Sequence, residues 1–241
     1  MTLASWVNGE PVSLIALDDR GLQYGDGVFE TMAVFAGRIG LLDLHLRRLT
    51  ESCERLRIPL APVARLTAEL NAAASGQQRA VLKLIVTRGS SGRGYRAPVS
   101  GVSNRIVTLH AWPSYPENWW HDGIRVRICK TILSRNPLLA GLKHLNRLEQ
   151  VMARSEWSEA EDVQEGLMTD SEGAVIEGTM THLFARLADG ELVTPSLDAC
   201  GVDGVMRRHI LEQAVRAKIS IRTGKLTLQE LATARELFVC N

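Results

Sequence analysis

Apolar and polar residues alternate with a period of two at 28–35 (VFETMAVF), 80–87 (AVLKLIVT), 105–112 (RIVTLHAW) and 124–132 (GIRVRICKT). Successive side chains of a strand point to opposite faces, so each stretch predicts a strand. Between them the period lengthens to that of a helix. In 42–57, Leu42, Leu46, Leu49, Cys53 and Leu56 fall on one face, and 62–75, 144–159 and 205–217 read the same way. Ala36-Gly37 predicts a hairpin turn, and Asp189-Gly190 predicts another between HLFARLA and ELVT. Two hairpin signals favour antiparallel sheets, and the pattern as a whole predicts an α+β fold with flanking helices.

The periodic pattern breaks at 113–122 (PSYPENWWHD), where prolines, a Trp pair and polar residues separate two strand patterns. This predicts a small N-terminal α/β domain over 1–113, a linker over 114–122 and a larger C-terminal domain over 123–241. A length of 241 residues, with 45% apolar and 23% charged, is enough for two cores of that size. Lys+Arg of 28 against Asp+Glu of 27 gives a net charge of +1, without the basic run a nucleic acid would need. Apolar runs such as 80–86 are short and carry a charge, so no membrane span is expected. The N-terminus has no basic region before its apolar residues and does not read as a secretion signal, which makes the cytoplasm the expected compartment. Cys53, Cys129, Cys200 and Cys240 are scattered without a metal-ligand spacing, as suits reduced thiols.

Lysine is scarce. There are five, against 23 arginines, and Lys83, Lys130, Lys218 and Lys225 have ordinary explanations as strand or surface residues. Lys143 lies in NPLLAGLKHLNRLEQ, beside Leu142 and Leu145, behind a Pro and a Gly and ahead of a helix pattern. An amine held against apolar residues loses the hydration that favours its ammonium form and becomes nucleophilic toward carbonyls. A Schiff base would suit it; a helix-start lysine snorkelling to water is the other reading. The glycine-rich run CGVDGVMRRHI at 200–210 enters a helix whose first amides can bind an anion such as a phosphate monoester, or whose start is simply capped by Asp203. Arg48 lies three residues from His45, beside the leucine stripe, and can either reach a dianion or face solvent. Glu177 ends a short strand in DSEGAVIEGTMTHLF, and 87–96 (TRGSSGRGYR) is a Gly/Ser loop with Arg88, Arg93 and Tyr95 that could grip a carboxylate or remain a mobile surface loop.

In order along the chain, DRGLQYGDGVFET (19–31), LLDLHLRRL (41–49), TRGSSGRGY (87–95), RNPLLAGLKHLNRLEQV (135–151), DSEGAVIEGTMTHLF (170–184) and GVDGVMR (201–207) resemble the fold-type IV pyridoxal-phosphate enzymes. That group contains the branched-chain and D-amino acid aminotransferases and the 4-amino-4-deoxychorismate lyases. The AGLKHLNRLEQV and RGSSGRGY runs look most like the lyases. The resemblance covers almost the whole chain and implies a two-domain, branched-chain-aminotransferase-like fold that uses pyridoxal 5'-phosphate.

By the same resemblance, Lys143 would hold the cofactor as an internal aldimine, Glu177 would pair with the pyridine nitrogen, and Arg48 would bind the phosphate with the amides of Val205 and Met206. The amine of aminodeoxychorismate would displace Lys143 to form an external aldimine, and the freed Lys143 would take the proton. Pyruvate would then be expelled, leaving 4-aminobenzoate for folate synthesis. Thr31 would assist proton delivery, Arg93 and Tyr95 would face the substrate carboxylates, and a homodimer is implied. No metal is expected. An aminotransferase of the same fold and a non-catalytic pyridoxal-phosphate-binding protein are the alternatives. Two departures stand out. His182 occupies a position where many relatives have Asn, and the chain stops at ELFVCN. Relatives usually continue past that point, so part of the pocket wall is expected to lie outside this sequence.

Overall fold

A computed structural model describes residues 1–98 and 101–241. Its contacts divide the chain into two compact units. The first holds Met1–Ser114 together with Lys143–Asn146; the second holds Tyr115–Leu142 and Arg147–Asn241.

The first unit contains strands β1 (Thr2–Val7), β2 (Gly27–Phe35), β3 (Arg38–Ile39), β4 (Arg79–Thr87) and β5 (Asn104–Ala111), with helices α1 (Arg20–Tyr24), α2 (Leu42–Leu56) and α3 (Val63–Ala74). The strands form one antiparallel sheet in the order β1-β5-β4-β2-β3. Ala36 and Gly37 both have positive φ, the backbone that a two-residue hairpin requires. Val28, Met32 and Val34 of β2 and Leu82, Leu84 and Val86 of β4 share the face that packs on Leu46, Leu49 and Cys53 of α2 and on Leu66 and Leu70 of α3. The leucine stripe of α2 is therefore the core face predicted. His45, Arg48 and Ser52, which flank it, are buried as well.

The second unit has β6 (Val126–Ile128), α4 (Leu148–Arg154), β7 (Glu165–Thr169), β8 (Val175–Gly178), β9 (His182–Arg186), β10 (Leu192–Pro195), α5 (Val205–Arg216), β11 (Ile221–Gly224), α6 (Leu228–Ala232) and β12 (Glu236–Cys240). They build a sheet β6-β7-β8 and a sheet β11-β10-β9-β12. Asp189-Gly190 turns β9 into β10 as predicted, while β6–β7 and β10–β11 are parallel pairs within otherwise antiparallel sheets. One apolar cluster gathers Met168, Ile176, Trp157 and Cys200, and another gathers Leu167, Val175, Leu183 and Val193. Among the described residues no helix is long and apolar enough to cross a membrane.

Two predicted elements are shorter in the structure. The helix pattern of 144–159 yields a helix only over Leu148–Arg154. Upstream of it the chain is extended: Phe29 N–H donates to Lys143 O at 2.9 Å, Leu145 N–H donates to Gly27 O at 3.0 Å, and Val28 and His144 form a bridge. Long-range pairing thus overrides local helix propensity at this point. The pattern of 124–132 becomes a strand only at Val126–Ile128, because the amides of Lys130 and Thr131 turn to the Glu156 carboxylate at 2.8 and 2.7 Å.

Candidate active site

In the first unit the site residues gather around β2. The half-buried Lys143, on the short extended segment against that strand, places Nζ 4.6 Å from the centroid of the Phe29 ring. Lys83 approaches the same ring, with Nζ 5.0 Å from the centroid. Lys83 is the register partner of Thr31, whose side chain is exposed on that face of the sheet. The apolar neighbour shown for the Lys143 amine is the Phe29 ring, and Lys83 is a second amine at that ring, in a position that reads as an ordinary strand lysine.

On the opposite face of β2, Glu30 is 2% exposed. It accepts from Arg48 Nε at 2.8 Å and Nη2 at 2.5 Å, and it lies 2.6 Å from His45 Nδ1. Burial pushes the Glu30 carboxyl up, but the hydrogen bonds from His45 and Arg48 outweigh that and hold it below the ordinary carboxylate range. Arg48 is therefore no solvent-facing residue. Its guanidinium is paired with Glu30 on the core face of the sheet, which fixes the plane of the cation.

The loop that follows β4 carries Arg93 and Tyr95, both exposed. Arg88, grouped with them by sequence, points the other way: it donates to Asp26 at 2.7 and 3.0 Å and to Leu56 O and Arg57 O at the end of α2. Gly25, between α1 and Asp26, adopts the left-handed conformation that closes the helix, and Asn146 packs where its Cβ would lie.

In the second unit Glu177 is the next-to-last residue of β8 and is 3% exposed. Its Oε2 accepts from the amide of Val202 at 2.8 Å and lies 3.9 Å from His182 Nδ1. Arg147 adds a positive charge nearby: burial pushes its guanidinium pKa down, while the charges of Glu177 and Glu149 hold it up. A buried carboxylate with so much support can keep a neighbouring ring nitrogen protonated.

The turn after Glu177 is shaped from below by Glu165. That buried carboxylate accepts from the amide of Thr179 at 3.0 Å, from Thr179 Oγ1 at 2.6 Å and from Thr181 Oγ1 at 2.8 Å. Nothing in the alternation of its own strand singled Glu165 out. The two threonines of Thr-Met-Thr at 179–181 were the signal that two hydroxyls needed an acceptor.

Helix α5 begins at Val205, with Gly204 as an extended cap that makes no side-chain hydrogen bond, and its first backbone bond runs from Arg208 N to Gly204 O at 2.8 Å. The amides of Val205 and Met206 precede that ladder and are available to an anion. Asp203 does not cap the helix. Its carboxylate is held to the flank by Arg207 at 3.2 Å and Arg208 at 2.7 Å, away from the amides. A Cβ at position 204 would overlap the His182 ring, so only glycine leaves this cradle open.

Each unit by itself carries groups whose chemistry fits pyridoxal phosphate: the first an amine beside an aromatic ring, the second a buried carboxylate suited to a ring nitrogen and a helix start without a side-chain cap, its acidic neighbour Asp203 held by Arg207 and Arg208. Among the described residues no cluster of His, Cys, Asp and Glu is suited to a metal ion. Cysteine offers no competing nucleophile, because burial pushes the thiols of Cys129 and Cys200 up to about 11 and those of Cys53 and Cys240 up to about 12.

Comparison with known proteins gives the family. The model of the amino-transferase class IV family matches residues 27–241. The crystal structure of 4-amino-4-deoxychorismate lyase from Pseudomonas aeruginosa superimposes with a TM-score of 0.94 at 49% identity, over 98% of this chain and 87% of that one. Aminodeoxychorismate lyase from Vibrio harveyi is 35% identical over 238 residues, covering 98% of this chain and 86% of the relative. The branched-chain amino acid aminotransferase from Escherichia coli shares the fold, with a TM-score of 0.85 at 23% identity over 100% of this chain and 82% of that one.

Proposed function

Because this chain belongs to the amino-transferase class IV family, we propose that Lys143, Glu177, Arg48, Val205 and Met206 hold its cofactor and that Lys143 and Thr31 move the protons of its reaction. The enzyme is a pyridoxal-phosphate-dependent carbon–oxygen lyase of fold type IV, and it converts 4-amino-4-deoxychorismate to 4-aminobenzoate and pyruvate. When bound, pyridoxal phosphate supplies an aldehyde that condenses with amines and a ring that takes up the electron pair freed at the adjacent carbon.

Lys143 would hold the cofactor through its aldehyde, and its Nζ, 4.6 Å from the centroid of the Phe29 ring, would serve as the base for the proton on the substrate's amine-bearing carbon. Glu177 holds a proton on the ring nitrogen. Arg48, oriented by Glu30, and the amides of Val205 and Met206 bind the phosphate. Loss of that proton lets the ether C–O bond break: the substrate ring becomes aromatic and the enolpyruvyl oxygen departs with the bonding electron pair. Thr31, on the same face as Phe29, would relay one proton to that oxygen, and the resulting enol tautomerises to pyruvate. Arg93 and Tyr95 engage the two substrate carboxylates through charge-assisted hydrogen bonds.

The observation that supports this reading is, in the second unit, the start of α5 without a side-chain cap, its Asp203 neighbour held by Arg207 and Arg208, together with the buried, amide-bound Glu177. A homodimer in the cytoplasm belongs to the same reading, since a two-fold contact is the commonest arrangement of soluble oligomers; light scattering that gives only the monomer mass contradicts it. The test of the reaction is direct. Aminodeoxychorismate should yield equal amounts of pyruvate and 4-aminobenzoate, while D-alanine or leucine with 2-oxoglutarate should yield no glutamate. Glutamate without pyruvate release would identify an aminotransferase instead, and a yellow protein inert toward all three would be a binding protein only.

A further inference from the structure

Arg20 takes no part in the chemistry above, yet its side chain is 4% exposed and its guanidinium is more fully engaged than a surface residue of a five-residue helix requires. Nε donates to Asp26 Oδ2 at 2.8 Å. Nη1 donates to Ser91 Oγ at 3.1 Å and to Gly94 O at 3.0 Å, and Nη2 donates to Tyr95 O at 3.1 Å. Three of these four acceptors belong to the loop that carries Arg93 and Tyr95. The guanidinium also lies over the Tyr24 ring, 4.9 Å from its centroid. That ring meets Tyr95 edge to face at 5.4 Å, and its hydroxyl accepts from the amide of Gly94 at 3.3 Å.

The Gly92–Tyr95 part of the loop has little else to order it, whereas Gly89 and Ser90 before it pair with the backbone of Arg20 and Asp19. Gly92, Arg93, Gly94 and Tyr95 are all exposed, with Tyr95 at 87%, so they bury no apolar surface that could offset the entropy of a fixed conformation. Arg20, by contrast, is anchored. Asp26 receives Arg88 as well, and Arg88 is tied to the carbonyls at the end of α2. A planar fork fixed on one side by a carboxylate and offered on the other to three loop oxygens is suited to impose one loop conformation.

We propose that Arg20 is a positioning residue for substrate recognition. It holds the Ser91–Tyr95 turn in its binding conformation, so that the substrate's carboxylates meet Arg93 and Tyr95 without having to order the loop. The inference rests on the reading of those two residues as carboxylate contacts. A preorganised loop lowers the cost of binding and leaves the chemical step alone.

The test uses the holoenzyme and the variants R20Q, R93A and the R20Q/R93A double variant, with steady-state kinetics on aminodeoxychorismate and limited proteolysis by trypsin. R20Q should raise KM about tenfold and change kcat by less than about threefold, because only the ground-state cost of ordering the loop is added. The visible spectrum of the bound cofactor should not change, and trypsin should cut faster after Arg93 and Arg96. Coupling between the two residues predicts that R20Q/R93A has a KM within about twofold of R93A alone. A merely structural role would lower the yield of active enzyme without this split between KM and kcat. If R93A raises KM and R20Q leaves both KM and the tryptic rate as in the parent enzyme, the inference fails alone. If R93A leaves KM unchanged, the substrate-contact reading fails and takes the inference with it. Should R20Q not fold, Y24F and S91A each remove one loop anchor and keep the Arg20–Asp26 pair; each should raise KM about threefold and speed tryptic cleavage. Parent values in both would overturn the proposal.

Discussion

Glu30 and Arg48 face each other in the core of the first unit through two hydrogen bonds, at 2.8 and 2.5 Å. The pair links the sheet to α2 and sets the plane of the guanidinium assigned to the cofactor phosphate. The Glu30 carboxyl is held below its ordinary value of 4.5, so the folded state binds a proton there less readily than the unfolded chain does. The stability this contributes is fully present above about 4.5 and is lost as the pH falls toward the depressed folded value. Replacing Glu30 by Gln should cost about 3–5 kcal/mol at neutral pH, the usual consequence of leaving a buried cation without its partner, and should flatten the loss of stability below pH 4.5. Denaturant unfolding of both proteins between pH 7 and pH 3 checks this; an E30Q variant with the parent's acid slope contradicts it.

The hydrogen bond from the Val202 amide to Glu177 is retained by glutamine, whereas the charge that keeps a ring nitrogen protonated is not. E177Q should therefore fold with a denaturation midpoint close to the parent's while kcat falls on the order of 100-fold or more, the scale seen when one preorganised electrostatic partner is removed. The absorbance of the bound cofactor should change with it. An E177Q enzyme with parent kcat and spectrum removes Glu177 from its assigned role.

Gly204 and His182 form a steric pair. Adding a methyl group at 204 forces the His182 ring aside, and overpacking of this kind costs about 1–3 kcal/mol. G204A should bind pyridoxal phosphate more weakly and melt earlier. The double variant G204A/H182A should recover much of both losses, because the smaller side chain makes room for the new Cβ. Fluorescence titration with the cofactor and thermal melts measure the two effects. A double variant no better than G204A would show that the clash with His182 does not govern this cradle.

The helices α2, α3 and α5 were legible in the sequence because each carries an apolar stripe of helical period, and the hairpins at Ala36-Gly37 and Asp189-Gly190 because those residues supply the backbone the turn needs. The extended stretch Lys143–Asn146 was not, since what straightens it is pairing with β2, more than a hundred residues earlier in the chain. Non-local partners also hid Arg20, Glu30 and Glu165. The alternation of β2 did contain a usable sign, for Glu30 falls between Val28 and Met32 on the face that packs on the core, and a carboxylate there requires a buried cation. The reverse held for Arg88: its place in the Gly/Ser loop suggested a ligand contact, and its side chain instead braces Asp26 and the end of α2. For Lys143 and Glu177 residue type and neighbourhood were readable along the chain, but neither the Phe29 ring beside the amine nor the Val202 amide on the carboxylate was.

Two amines approach Phe29, those of Lys143 and Lys83, which makes the choice between them the sharpest test of the account. Borohydride fixes the cofactor to whichever amine holds it, and peptide mass analysis then locates the label. One pyridoxyl group per chain is expected, on Lys143, and no label in K143A, with the purified protein colourless or only loosely yellow. A label on Lys83, or a fully labelled K143A enzyme that still releases pyruvate, would contradict it.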